Sequence, residues 1–107
     1  MRDFSVAVKA FQQSEIALFE AGKIDADTHK RVQEGFLHLA TTAPAVDAAI
    51  RQNNKAGILA AIDAGLADTD GFLADVGAVR DPNTRAELQA LVLAIRTILA
   101  NGKVLVS

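Results

Sequence analysis

The chain has no cysteine, no tryptophan and no tyrosine, and only two prolines in 107 residues. Without cysteine there can be no disulfide, no thiolate nucleophile, no iron–sulfur ligation and no cysteine-based zinc site. Without tryptophan or tyrosine, base stacking and interfacial anchoring fall to five phenylalanines, most of which match core positions of helices. No apolar run approaches the ~20 residues of a membrane span; the longest, Leu91 to Ile95, is closed by Arg96. The N-terminus enters an amphipathic pattern directly, with no uninterrupted apolar region or small-residue cleavage site. The expectation is a cytoplasmic protein with no membrane contact. A formal net charge of −2 argues against nucleic-acid binding by bulk charge. The best basic patch, His29-Lys30-Arg31 beside Lys23, is diluted by Asp25, Asp27 and Glu34.

Few residues are suited to catalysis. The serines are Ser5, Ser14 and Ser107, none in a nucleophile elbow. The glycines are scattered through helical stretches and form no phosphate loop. His29 and His38 lie nine residues apart on one predicted helix, so they point to opposite sides and cannot share a metal. Glu34 and His38 could form half of a carboxylate–imidazole site, but the sequence has no Glu-x-x-His of the kind repeated in di-metal bundles. Asp68-Thr69-Asp70-Gly71 has the order of the middle of a calcium loop. With Gly71 at the invariant glycine, however, the first and twelfth positions fall on Leu66 and Gly77, so both essential carboxylates are missing. The pattern predicts no metal, no cofactor and no enzyme.

What the chain does have is alanine, about a fifth of all residues and well above ordinary usage. Alanine is the best helix former and leaves a shallow surface. Apolar residues recur at helical spacing throughout. A first helix is expected from Phe4 or Ser5 to Ala21, with Phe4, Ala7, Val8, Phe11, Leu18 and Phe19 on one face. Gly22 stops it, and Ile24 plugs the turn. A second helix, capped by Asp25 or Asp27, runs to about Thr41 with Val32, Phe36 and Leu39 as its seam. So short a turn favours an antiparallel hairpin, Phe4 to Thr41. Thr42 is expected to cap the next stretch, with Pro44 in its first turn; the stretch is either one helix to Ala67 or two that break at Gln52-Asn53-Asn54. The break is favoured, because Asn is a poor interior residue and a good cap. Asp68 to Gly71 are expected to cap a short helix, Phe72 to Val79.

The last helix, Pro82 to Ala100, is bounded by Asp81-Pro82 and Asn101-Gly102. Leu88, Leu91, Val92, Ile95, Ile98 and Leu99 form one face; Ala86, Ala90, Leu93, Ala94, Thr97 and Ala100 form a second. A helix apolar on most of its circumference must be covered on most of it. Either the Gly57-Ala61-Gly65 row of the same chain covers the second face, or another copy does. A short apolar tail follows, Lys103 to Ser107, strand-like in composition.

The sequence therefore predicts a single all-α domain over residues 1–107: a compact bundle of about five helices with an N-terminal antiparallel hairpin. The leading functional reading is a small non-enzymatic interaction or scaffold protein that forms a homodimer through its C-terminal helix, with Leu91, Leu93, Ile95, Ile98 and Leu105 at the interface. The alternatives are a ligand-binding bundle, its pocket lined by Phe11, Phe36, Leu39 and Ile62 with His38 at the rim, and an accessory subunit of a larger assembly such as a phage or secretion particle.

Overall fold

The computed structural model describes residues 2–106. They form five helical pieces: α1 (Arg2–Glu20), α2 (Ala26–Leu39), α3 (Thr42–Arg51), α4 (Lys55–Gly77) and α5 (Pro82–Val106). No strand occurs among the described residues. α2 and α3 act as one interrupted rod. Gly35 lies against Phe72, Thr42 against Gly65, and Ala49 close to Gly57. Each step of seven along α2–α3 is thus matched by a step of seven or eight back along α4. The result is a four-helix ring, α1, α2–α3, α4 and α5, closed by packing of α1 on α5. It is 46 Å long and 20 Å across.

Local chemistry accounts for the ends of each piece. α1 finishes in a Schellman turn: Gly22, at φ +77°, donates to the Phe19 carbonyl, and the Lys23 N–H reaches Leu18. α3 finishes in the same way, with Asn53 at φ +55° and the Asn54 N–H bonded to the Ala49 carbonyl. Asn54 then caps α4 by accepting from the Gly57 N–H at 3.0 Å. The expected break at Gln52-Asn53-Asn54 is therefore present, and Ile24 is buried in the α1–α2 turn. α2 and α5 both open with Asp-x-x-Thr. Asp25 accepts from the Thr28 N–H at 2.7 Å, and Asp81 accepts from the Thr84 N–H and hydroxyl.

Four expectations are corrected. α1 begins at Arg2, ahead of Phe4. Thr42 does not cap α3; it is the first helical residue and is buried against Gly65. Asp68 to Gly71 do not start a helix, because α4 runs unbroken through them. The Thr69 hydroxyl bonds back to the Leu66 carbonyl at 2.6 Å, so this hydroxyl is satisfied inside the helix. The C-terminal tail is not a strand either: α5 continues through Asn101 and Gly102 to Val106, and Lys103 bonds Asp63 of α4 at 2.7 Å. Ser107 lies outside the described residues.

The interior follows a 3–4 spacing, clearest on α4 as Ile62, Gly65, Thr69, Phe72 and Val76 and on α5 as Leu88, Val92, Ile95 and Leu99, all buried. Near the middle, Phe11, Phe36 and Phe72 pack with ring centroids 5.0–5.2 Å apart, a distance at which aromatic edges and faces attract. A methyl group added at Gly35 would lie 2.6 Å from the Phe72 ring, whereas one added at Gly71 would meet nothing. Both substitutions gain about 1 kcal/mol of helix propensity. Gly71→Ala should therefore stabilise the protein by about that amount. Gly35→Ala should instead be net destabilising, because overpacking a tight core costs about 1–3 kcal/mol. Urea midpoints of the two variants check this contrast.

Candidate functional site

On α5 the two faces separate cleanly. The inner face, Leu88, Val92, Ile95 and Leu99, is core. The outer face, Ala86, Ala90, Leu93, Thr97, Ala100 and Val104, is exposed at every position. These six residues fall at alternating steps of four and three, the spacing of a helix seam that meets another helix. Leu93 is 49% exposed, Val104 74% and neighbouring Leu105 87%. No charged residue occurs among the six. Thr97 directs its hydroxyl to the Leu93 carbonyl at 2.9 Å, so its remaining contribution to the surface is a methyl group. Along the α4-side flank, the basic residues are each held by this chain. Arg85 donates to the Val79 carbonyl at 3.0 Å, Arg96 donates to Thr69 at 3.0 Å and pairs with Asp70, and Lys103 pairs with Asp63.

The structure sorts the predicted interface residues into three groups. Ile95 is fully buried in the monomer and cannot belong to an interface without unfolding; at 100° per residue it lies on the opposite side of α5 from the exposed seam. Leu91 and Ile98 are partly buried against the core. Leu93 and Leu105 are exposed. The Gly57-Ala61-Gly65 row does not cover the alanine face: Gly65 meets Leu99 and Thr42, and Gly57 meets Asn54 and Ala49.

The predicted pocket residues are dispersed or consumed by packing. Phe11 and Phe36 belong to the aromatic cluster, and Leu39 and Ile62 are core side chains. His38 is exposed on α2. An open groove of about 380 Å³ does lie between the start of α1 and the α2–α3 break, lined by Phe4, Val8, Gln12, Leu39 and Ala43 among others. Of the five predicted pocket residues, Leu39 alone lines it.

Sequence reasoning missed one polar cluster. Glu15 of α1 is fully buried, yet it contacts His29 Nδ1 through both carboxylate oxygens, the second at 2.9 Å. Gln33 Nε2 donates to the same carboxylate at 3.4 Å. His29 stacks on Phe19 with ring centroids 3.8 Å apart. The pair clamps α1 to α2. The only signal in the sequence was Glu15 within the apolar face of Phe4, Phe11 and Leu18. Removing one partner strands a buried carboxylate. His29→Leu should therefore cost about 3 kcal/mol, and adding Glu15→Met should recover most of it; thermal melts of both variants read this out.

Just past the C-terminal end of α1, charged groups gather in a cleft lined by Gly22, Lys23, Ile24, Asp25, Val79, Arg80 and Asp81. The capping hydrogen bonds hold the carboxyls of Asp25 and Asp81 below the ordinary aspartate value: for Asp25 chiefly the Thr28 N–H, for Asp81 the Thr84 hydroxyl and N–H. Burial raises Asp68 and Asp75, against the attraction of His38 and Arg31 respectively. The two kinds of shift have opposite consequences. A lowered folded value stabilises above the ordinary value of 3.8 and is lost as pH falls through the folded one. A raised value destabilises at neutral pH, and this penalty disappears on acidification. At pH 7, Asp75→Asn should raise the urea midpoint and Asp25→Asn should lower it. The Asp75 difference should fade as pH falls toward 3.8, the Asp25 difference only below it.

No group of three or more metal-ligating residues converges among the described residues. Compared with models of known protein families, with curated proteins and with solved structures, the chain matches none.

Proposed function

We propose that this chain is a small non-enzymatic interaction protein that self-associates, as a dimer, through the outer face of α5. The observation that carries the reading is the exposed, uncharged seam from Ala86 to Val104 on a helix whose opposite face is already core. Contiguous apolar surface of this kind marks a contact site. His29 is held by Glu15, and the Asp25 and Asp81 carboxylates cap helices. A cytoplasmic setting agrees with a cysteine-free chain.

α5 is also long and apolar enough to cross a membrane, by length and composition alone. Protein contact is the better reading. The inner face of α5 builds the core of the bundle, Arg85, Arg96 and Lys103 are held by groups of this chain, and alanine packs on protein better than it inserts into lipid.

Leu93 is the centre of the seam and the natural point to test. Sedimentation equilibrium of the wild-type protein should show a reversible, concentration-dependent dimer in the micromolar range. Leu93→Arg should keep the wild-type circular dichroism yet sediment as a monomer, because it changes an exposed position. A wild-type chain that stays monomeric to several hundred micromolar would refute the proposal.

A further inference from the structure

We propose that the groove between the start of α1 and the α2–α3 break binds a small anionic amphiphile, a short alkyl chain ending in a carboxylate. The lining residues lie on α1 and around the break, and none on α5, so this site stands apart from the self-association proposed above. Its volume of about 380 Å³ falls at the small end of the range of ligand pockets. Two alanines sit where α2 gives way to α3. Ala40 and Ala43 both line the groove, and each ends at Cβ, where a longer side chain would fill the space toward α1.

The lining divides by chemistry. Phe4 and Leu39 are buried side chains and Val8 and Ala43 are half-buried; together they give the groove an apolar base. Ser5, Lys9 and Gln12 follow one another on α1 at steps of four and three, which is one row of a helix. Each of the three side chains carries a hydrogen-bond donor. None has a side-chain hydrogen bond or an ion pair among the described residues. No acidic residue lines the groove. In a chain of net charge −2, one cation and two neutral donors with no carboxylate beside them complement an anion. The apolar base then selects an anion that carries an alkyl chain over a bare inorganic one. The volume also argues against a docked peptide helix. One turn of helix, ~10 Å across and ~5.4 Å long, would take up all of it.

Octanoate is the probe, titrated below its micelle-forming concentration into the isotope-labelled full chain and followed by amide NMR shifts. Octanol, octylammonium and butyrate are the comparisons. The amides of Phe4, Val8, Leu39 and Ala43 should move with octanoate and saturate with a dissociation constant of ~1 mM. Octanol should bind more weakly and octylammonium most weakly of the eight-carbon probes. Butyrate should bind at least about tenfold more weakly than octanoate, because each fully buried methylene is worth about fourfold. Lys9→Glu changes an exposed position; it should keep the wild-type circular dichroism and reverse the order of octanoate and octylammonium. Ala40→Phe, at another exposed position, should fill the groove and abolish the shifts. Amides unmoved at ten times the expected dissociation constant would overturn the site. Equal binding of octanoate and octylammonium, or a Lys9→Glu variant that keeps the wild-type order, would overturn the anionic head group. Shifts confined to the outer face of α5 would move the amphiphile there and leave the groove without a role.

Discussion

The Phe72 ring sits over Gly35, between Phe11 and Phe36, and the rest of the bundle depends on that seat. Three helices meet there. A side chain at position 35 would hold α2 away from α4, and no other residue type lets the ring lie so close. Once Phe72 is seated, the heptad spacing carries the register outward. Thr42 falls on Gly65 one repeat away, and Ala49 near Gly57 the next. The break between α2 and α3 costs little, because both pieces keep the same phase against α4.

Polar groups in the interior follow the same register. Thr69 and Thr42 occupy seam positions on α4 and α3, where their size suits the close approach, and the Thr69 hydroxyl is satisfied within its own turn and by Arg96. Glu15 is different in kind. A buried carboxylate is tolerated only when it is paired, and His29 and Gln33 supply the partners from across the α1–α2 hairpin. The cluster makes the pairing of these two helices specific in a way that alanine-rich surfaces alone do not.

With the core filled by one face of each helix, the second face of α5 is left exposed. Its exposure is the structural basis of the proposed self-association. The neighbouring ion pairs, Arg96 with Asp70 and Lys103 with Asp63, join α5 to α4 along its flank.

From the sequence alone follow the helical class, the hairpin, an aspartate cap for α2 at Asp25 or Asp27, the plug at Ile24 and a favoured break at Gln52-Asn53-Asn54. These are local matters of period, cap and turn, and the residues that decide them lie within a few positions of one another. The sequence also marked α5 as apolar on two faces. Which of the two faces is core follows from where the other helices pack. Ile95 and Leu93 are two residues apart and equally apolar, and nothing local says that one is buried and the other exposed. The same holds for Glu15 and His29, fourteen residues apart, whose contact exists only because the hairpin closes. The unbroken course of α4 through Asp68-Thr69-Asp70-Gly71, and of α5 through Asn101-Gly102, belongs to the same class. Capping and stop residues yield there to packing over many turns; on α4, burying Phe72 and Val76 outweighs a local preference worth about 1 kcal/mol.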